Sequence, residues 1–91
     1  MAVARQSWWD KFITPRQIIR DEPGEKVALI MMPRNGPFAG YKMWYPKSLI
    51  KYGCPHVALR CGSKMTFKLF NGEKEISMDA ISFMRVQTCG D

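Results

Sequence analysis

Apolar positions follow a strand-like period through most of the chain after Lys26, and a helix-like spacing only before it. Trp8, Trp9, Phe12 and Ile13 fall at i, i+1, i+4 and i+5, the apolar side of a short helix over residues 7–13. Ser7 stands as its N-cap and Asp10 at N3, near the positive end of the dipole. A second helical start follows: Thr14 as cap, Pro15 at the first position, and Gln17 where a capping-box partner belongs. That helix ends before Pro23-Gly24.

From Lys26 the pattern predicts strands. Residues 27–32 are apolar on both faces, as in a central strand or one covered by the N-terminal helix. Residues 33–40 form a loop rich in Gly and Pro. Residues 41–45 read as a second strand, 48–52 as a turn or single helical turn, 56–61 as a third strand and 65–70 as a fourth. Asn71-Gly72 suits both central positions of a type I′ turn, so residues 65–70 should pair with 73–78 in a hairpin. Asp79 offers a helix cap, yet Ile81, Phe83 and Arg85 alternate with Ser82 and Met84, and the alternation favours a strand over 79–86.

Short strands with turn signals every 8–12 residues predict an α+β, mostly β domain. The expected architecture is one or two short N-terminal helices over residues 1–22, then a small five-stranded barrel, OB-like or SH3-like, or a curled antiparallel sheet over 26–86. Residues 87–91 read as a tail. Ninety-one residues make one domain with a small core.

Charge changes this picture. Between Glu25 and Glu73 there is no acid, but there are eight basic residues and seven aromatics. Strand parity puts Lys42, Trp44, Arg60, Thr66, Lys68 and Phe70 on outward faces. If their strands are neighbours, basic and aromatic groups share one surface. Such a surface attracts phosphates and offers platforms for bases. The candidate contacts are Arg34, Lys42, Trp44, Tyr45, Lys47, Lys51, Arg60, Lys64, Lys68 and Phe70. Trp8, Trp9 and Phe12 either cover one end of the core or form a hot spot for a protein partner.

Other chemistry finds less support. Cys54, His56, Cys61 and Cys89 are four potential zinc ligands, but the Cys-x2-4-Cys knuckle is absent. One histidine and an acid-free centre argue against an enzyme. Three cysteines, an odd number, argue against a secreted disulfide scaffold and fit a reducing cytoplasm. Trp8-Trp9 runs directly into Asp10-Lys11, unlike a signal peptide, and no apolar run reaches membrane-spanning length.

The expected function is a non-catalytic, cytoplasmic nucleic-acid-binding module with low sequence specificity, favouring single strands and needing no cofactor. The alternative is a small basic inhibitor, of the phage or anti-defence kind, that docks on an acidic surface or the nucleic-acid channel of a larger enzyme. Edge strands in so small a barrel also offer a route to a homodimer.

Overall fold

The structure, a computed structural model, describes residues 7–90. Among the described residues, eight strands form two antiparallel sheets. β1 (Trp8–Ile13), β6 (Val57–Gly62) and β5 (Ile50–Lys51) make a three-stranded sheet in the order β1-β6-β5. β2 (Ile18–Arg20), β3 (Val27–Met31), β4 (Lys42–Pro46), β7 (Thr66–Asn71) and β8 (Lys74–Asp79) make a five-stranded sheet in that order. One short α-helix, α1 (Ala80–Met84), follows β8.

Three expectations need correction. First, the N-terminal helices are not formed among the described residues; residues 1–6 of that segment lie outside them. Residues 8–13 form β1, paired in register with β6 from Trp8↔Gly62 to Ile13↔Val57. Their period is two: Trp8, Asp10 and Phe12 point out, while Trp9, Lys11 and Ile13 point in. Pairing along the whole of β6 outweighs the helical spacing of four apolar residues. The start at Thr14 survives only as a single 3₁₀ turn, Pro15–Gln17, before β2. Thr14 N–H donates to Gln17 Oε1 at 2.8 Å, the contact expected of Gln17 as the capping-box partner.

Second, the sheet is not closed into a barrel. Its strands divide between two sheets whose inner faces share one core. Ala28, Ile30, Met43, Tyr45, Phe67 and Leu69 come from the five-stranded sheet; Ile13, Ile50, Val57, Leu59 and Cys61 come from the other. The Tyr45 hydroxyl donates to the Arg60 carbonyl, joining the two sheets through the core.

Third, the last segment is helical. The Asp79 carboxylate accepts from Ser82 N–H at 2.8 Å and starts α1 as its N-cap. Ala80 and Phe83 of α1 enter the core. The chain then returns to β1. Inward-facing Lys11 donates to the Met84 and Val86 carbonyls at 2.8 and 2.6 Å, and burial holds its ammonium below the usual lysine pKa. Thr88, itself buried, donates through Oγ1 to the Phe12 carbonyl at 2.8 Å. What reads in sequence as a tail is therefore a strap along β1.

The 71–74 hairpin forms, but one residue later than expected. Asn71 pairs with Lys74, leaving Gly72 and Glu73 as the loop. Gly72 has φ 62° and Glu73 has no positive φ. This matches a type II′ turn, with glycine first, and not type I′.

The cap at Asp79 has a pH signature. Its hydrogen bonds to Ser82 hold the carboxyl below the usual aspartate range. A carboxyl depressed in the folded state stabilises fully above its unfolded pKa, near 4, and loses that contribution as pH falls through the folded value. The Asp79→Ala variant should therefore melt lower than wild type at about pH 7, and the gap should narrow by about pH 2. Thermal melts of both proteins at the two pH values check this.

Candidate nucleic-acid interface

Strand register builds an outer face on the five-stranded sheet. Met31 of β3 lies opposite Lys42 of β4, and Leu29 lies opposite Trp44. Lys42 in turn lies opposite Phe70 of β7. Trp44 and Lys68 are exposed; Lys42 and Phe70 are half-buried; the alternate residues Met43, Tyr45, Phe67 and Leu69 point into the core. Lys42, Trp44, Thr66, Lys68 and Phe70 thus share one surface, as parity predicts.

The pairing of β4 with β7 is limited to Lys42↔Phe70. Beyond that point the strands part around a gap of about 190 Å³. Trp44 and Lys68 stand at its rim, and the Tyr45 and Phe67 rings, nearly parallel at 6.3 Å, lie on its core side. An aromatic plane and an ammonium beside an opening in the sheet match the needs of a base and its phosphate.

Two acids bound this face. β8 places Glu75 opposite Phe70 and Asp79 opposite Thr66. The acid-free stretch therefore does not make an acid-free surface, because its neighbour in the sheet lies outside the stretch. The basic area is confined to the β3–β4–β7 part, away from the β8 edge.

The remaining candidates lie elsewhere. Arg60 is on the three-stranded sheet, opposite Asp10, with its guanidinium 5.1 Å from the centre of the Trp8 ring. It does not join Lys42 and Lys68, because β6 pairs with β1 and β5 instead of β4 or β7. Tyr45 is buried, so it offers no stacking surface, and burial pushes its hydroxyl above the usual phenol range. Lys47 is half-buried and 2.7 Å from Asp21, whose carboxyl is held low by hydrogen bonds from Lys47 and Tyr52. Lys51 is exposed on β5, opposite Ala58, and Lys64 is exposed in the turn before β7. Arg34 lies in the loop after β3, where it shares a pocket with Arg16, a residue the charge pattern did not single out.

The aromatic cluster at the N-terminus splits. Trp8 and Phe12 are 42% and 50% exposed on the outer face of the three-stranded sheet, while Trp9 packs against the core. Phe12 meets the His56 ring edge-on at 6.4 Å. The four potential zinc ligands do not come together: Cys61 is buried facing inward, Cys54 and His56 are exposed, and Cys89 is half-buried. Among the described residues no group of three or more His, Cys, Asp or Glu is placed to hold a metal. No helix among them is long and apolar enough to cross a membrane.

No family model, curated protein or solved structure matches this chain, so its chemistry is read from its own residues.

Proposed function

We propose that the protein is a non-catalytic nucleic-acid-binding module that holds a single strand on the outer face of its five-stranded sheet. The observation that carries this reading is the grouping of Lys42, Trp44, Lys68 and Phe70 around the gap between β4 and β7. Lys42 and Lys68 supply phosphate contacts. Trp44 and Phe70 supply stacking that tolerates any base. No element of the described fold resembles a recognition helix, so sequence specificity is low.

A second reading has its own support. Trp8 and Phe12 are exposed on the outer face of the other sheet with Asp10 between them, Trp8 beside Arg60 and Phe12 beside His56. Exposed tryptophan beside arginine is the composition of a protein hot spot. It favours a small basic regulator docked on a larger nucleic-acid-processing enzyme.

One comparison separates the two. Removing a stacked base contact costs about 1–3 kcal/mol, so Trp44→Ala should weaken binding of a labelled single-stranded oligonucleotide by roughly fivefold to 150-fold. Trp8→Ala should leave it unchanged. Fluorescence polarisation reads both. Loss with Trp8→Ala and none with Trp44→Ala would move the contact to the other sheet.

A further inference from the structure

The pocket below the loop after β3 carries a function of its own. It measures about 280 Å³ and is lined by Thr14, Arg16, Gln17, Met31, Arg34 and Gly90. Neither Arg16 nor Arg34 forms an ion pair or hydrogen bond among the described residues, unlike Arg20, which pairs with Glu25, and Lys47, which pairs with Asp21. Two guanidiniums without a partner among the described residues thus border one cavity, and no carboxylate of the described residues lines it.

Met31 adds an apolar side chain to the lining, and Thr14, Gln17 and Gly90 add polar groups. The Gln17 amide is fully engaged: Nε2 donates to the Met31 and Thr88 carbonyls at 2.9 and 2.6 Å. Its Oε1 accepts from Thr14 N–H and Gly90 N–H at 2.8 and 3.2 Å. The Thr14 hydroxyl, by contrast, is buried with no partner. Gly90 forms a close wall. At φ 155° it sits where a Cβ would lie 3.1 Å from Pro33 Cβ and 3.2 Å from Asn35 Oδ1.

Two guanidinium forks bordering one cavity are matched by a phosphate. A phosphomonoester carries about −1.5 to −2 charge at pH 7, against −1 for a backbone diester, and suits a doubly cationic pocket better. The position supplies the link to the rest of the surface. Met31 is the cross-strand partner of Lys42, so the pocket adjoins the Lys42 end of the outer face. Resting on the nucleic-acid reading above, we propose that this pocket receives the terminal phosphomonoester of a strand held on that face.

The test uses the full chain and one oligonucleotide sequence in three forms: 5′-phosphorylated, 3′-phosphorylated, and with hydroxyls at both ends. One phosphorylated form should bind about tenfold tighter than the hydroxyl form. The preference should shrink below about pH 6, where the phosphate takes up its second proton. Arg16→Gln/Arg34→Gln should erase the preference, and Lys42→Gln/Lys68→Gln should weaken all three forms while keeping it. Equal binding of the three forms to wild type overturns the proposal and leaves the nucleic-acid reading standing. A nucleoside monophosphate that binds as tightly as the preferred oligonucleotide overturns the strand-end form and assigns the pocket to a free phosphomonoester. If no oligonucleotide binds, the nucleic-acid reading fails, and the pocket is read through the amide shifts of Thr14, Gln17 and Gly90 on titration with inorganic phosphate. Shifts that vanish in the double arginine variant support an anion pocket; absent or unchanged shifts overturn it.

Discussion

Replacing Lys42 and Lys68 together by Gln should lower affinity for a single-stranded oligonucleotide by about a hundredfold at low salt, taking each charged contact as about 1.5 kcal/mol. The two residues reach the outer face from different strands: Lys42 opposite Phe70, and Lys68 two residues back along β7. Gln removes the charge and keeps an unbranched polar side chain, though with a shorter aliphatic stem. It also avoids placing a new carboxylate beside Glu75 and Asp79, which would strain the β7–β8 pair. Arg60→Gln, on the other sheet, should leave affinity unchanged. Thermal melts confirm that each variant is folded before its binding is read. Equal losses from Arg60→Gln and the double lysine variant would mean that affinity follows net charge and not this face.

The largest stability effect should come from Phe83→Ala. Phe83 has 0% exposure, and its ring lies 4.0 Å from that of Phe67, tilted by 9°. Phe67 is in turn nearly parallel to Tyr45, whose hydroxyl holds the Arg60 carbonyl. One stack therefore runs from α1 through β7 and β4 to the other sheet. Truncating a buried Phe costs about 3–5 kcal/mol, a large share of the roughly 5–15 kcal/mol that holds a small domain folded. At about 4–8 °C per kcal/mol for a chain of this size, the melting midpoint should fall by at least about 12 °C. A fall of only a few degrees would show that α1 does not close the core.

These residues also show how far the sequence can be read. Strand parity turned Lys42, Trp44, Lys68 and Phe70 outward, because a two-residue period survives any arrangement of the strands, and the pairing of β4 with β7 puts them on one face. Arg60 obeys the same parity and yet lies apart, since parity says nothing about which strands are neighbours. The order β1-β6-β5 depends on β1, which its four apolar residues disguise as a helix. Phe83 fits both an alternating strand and the inward side of a helix; the Asp79 carboxylate on Ser82 N–H decides between them.

The acids on the face were within reach of sequence. A hairpin at Asn71-Gly72 brings Glu75 to the same side as Lys68 and Phe70 whether the turn is type I′ or II′, because the two registers differ by two residues. The pocket was not within reach. It joins Arg16, Arg34 and Gly90, which come together only because Gln17 bridges the turn before β2 to the C-terminal strap.

The account rests most heavily on a strand of nucleic acid lying across the β4–β7 face, and titration of a labelled single-stranded oligonucleotide with the wild-type chain at two salt concentrations tests it directly. Binding should be clear at about 50 mM salt and fall on raising it to about 200 mM, with a log–log slope of at least −1.4, about −0.7 for each of the two phosphates met by Lys42 and Lys68. No binding at about 50 mM salt, where phosphate contacts are strongest, would contradict it.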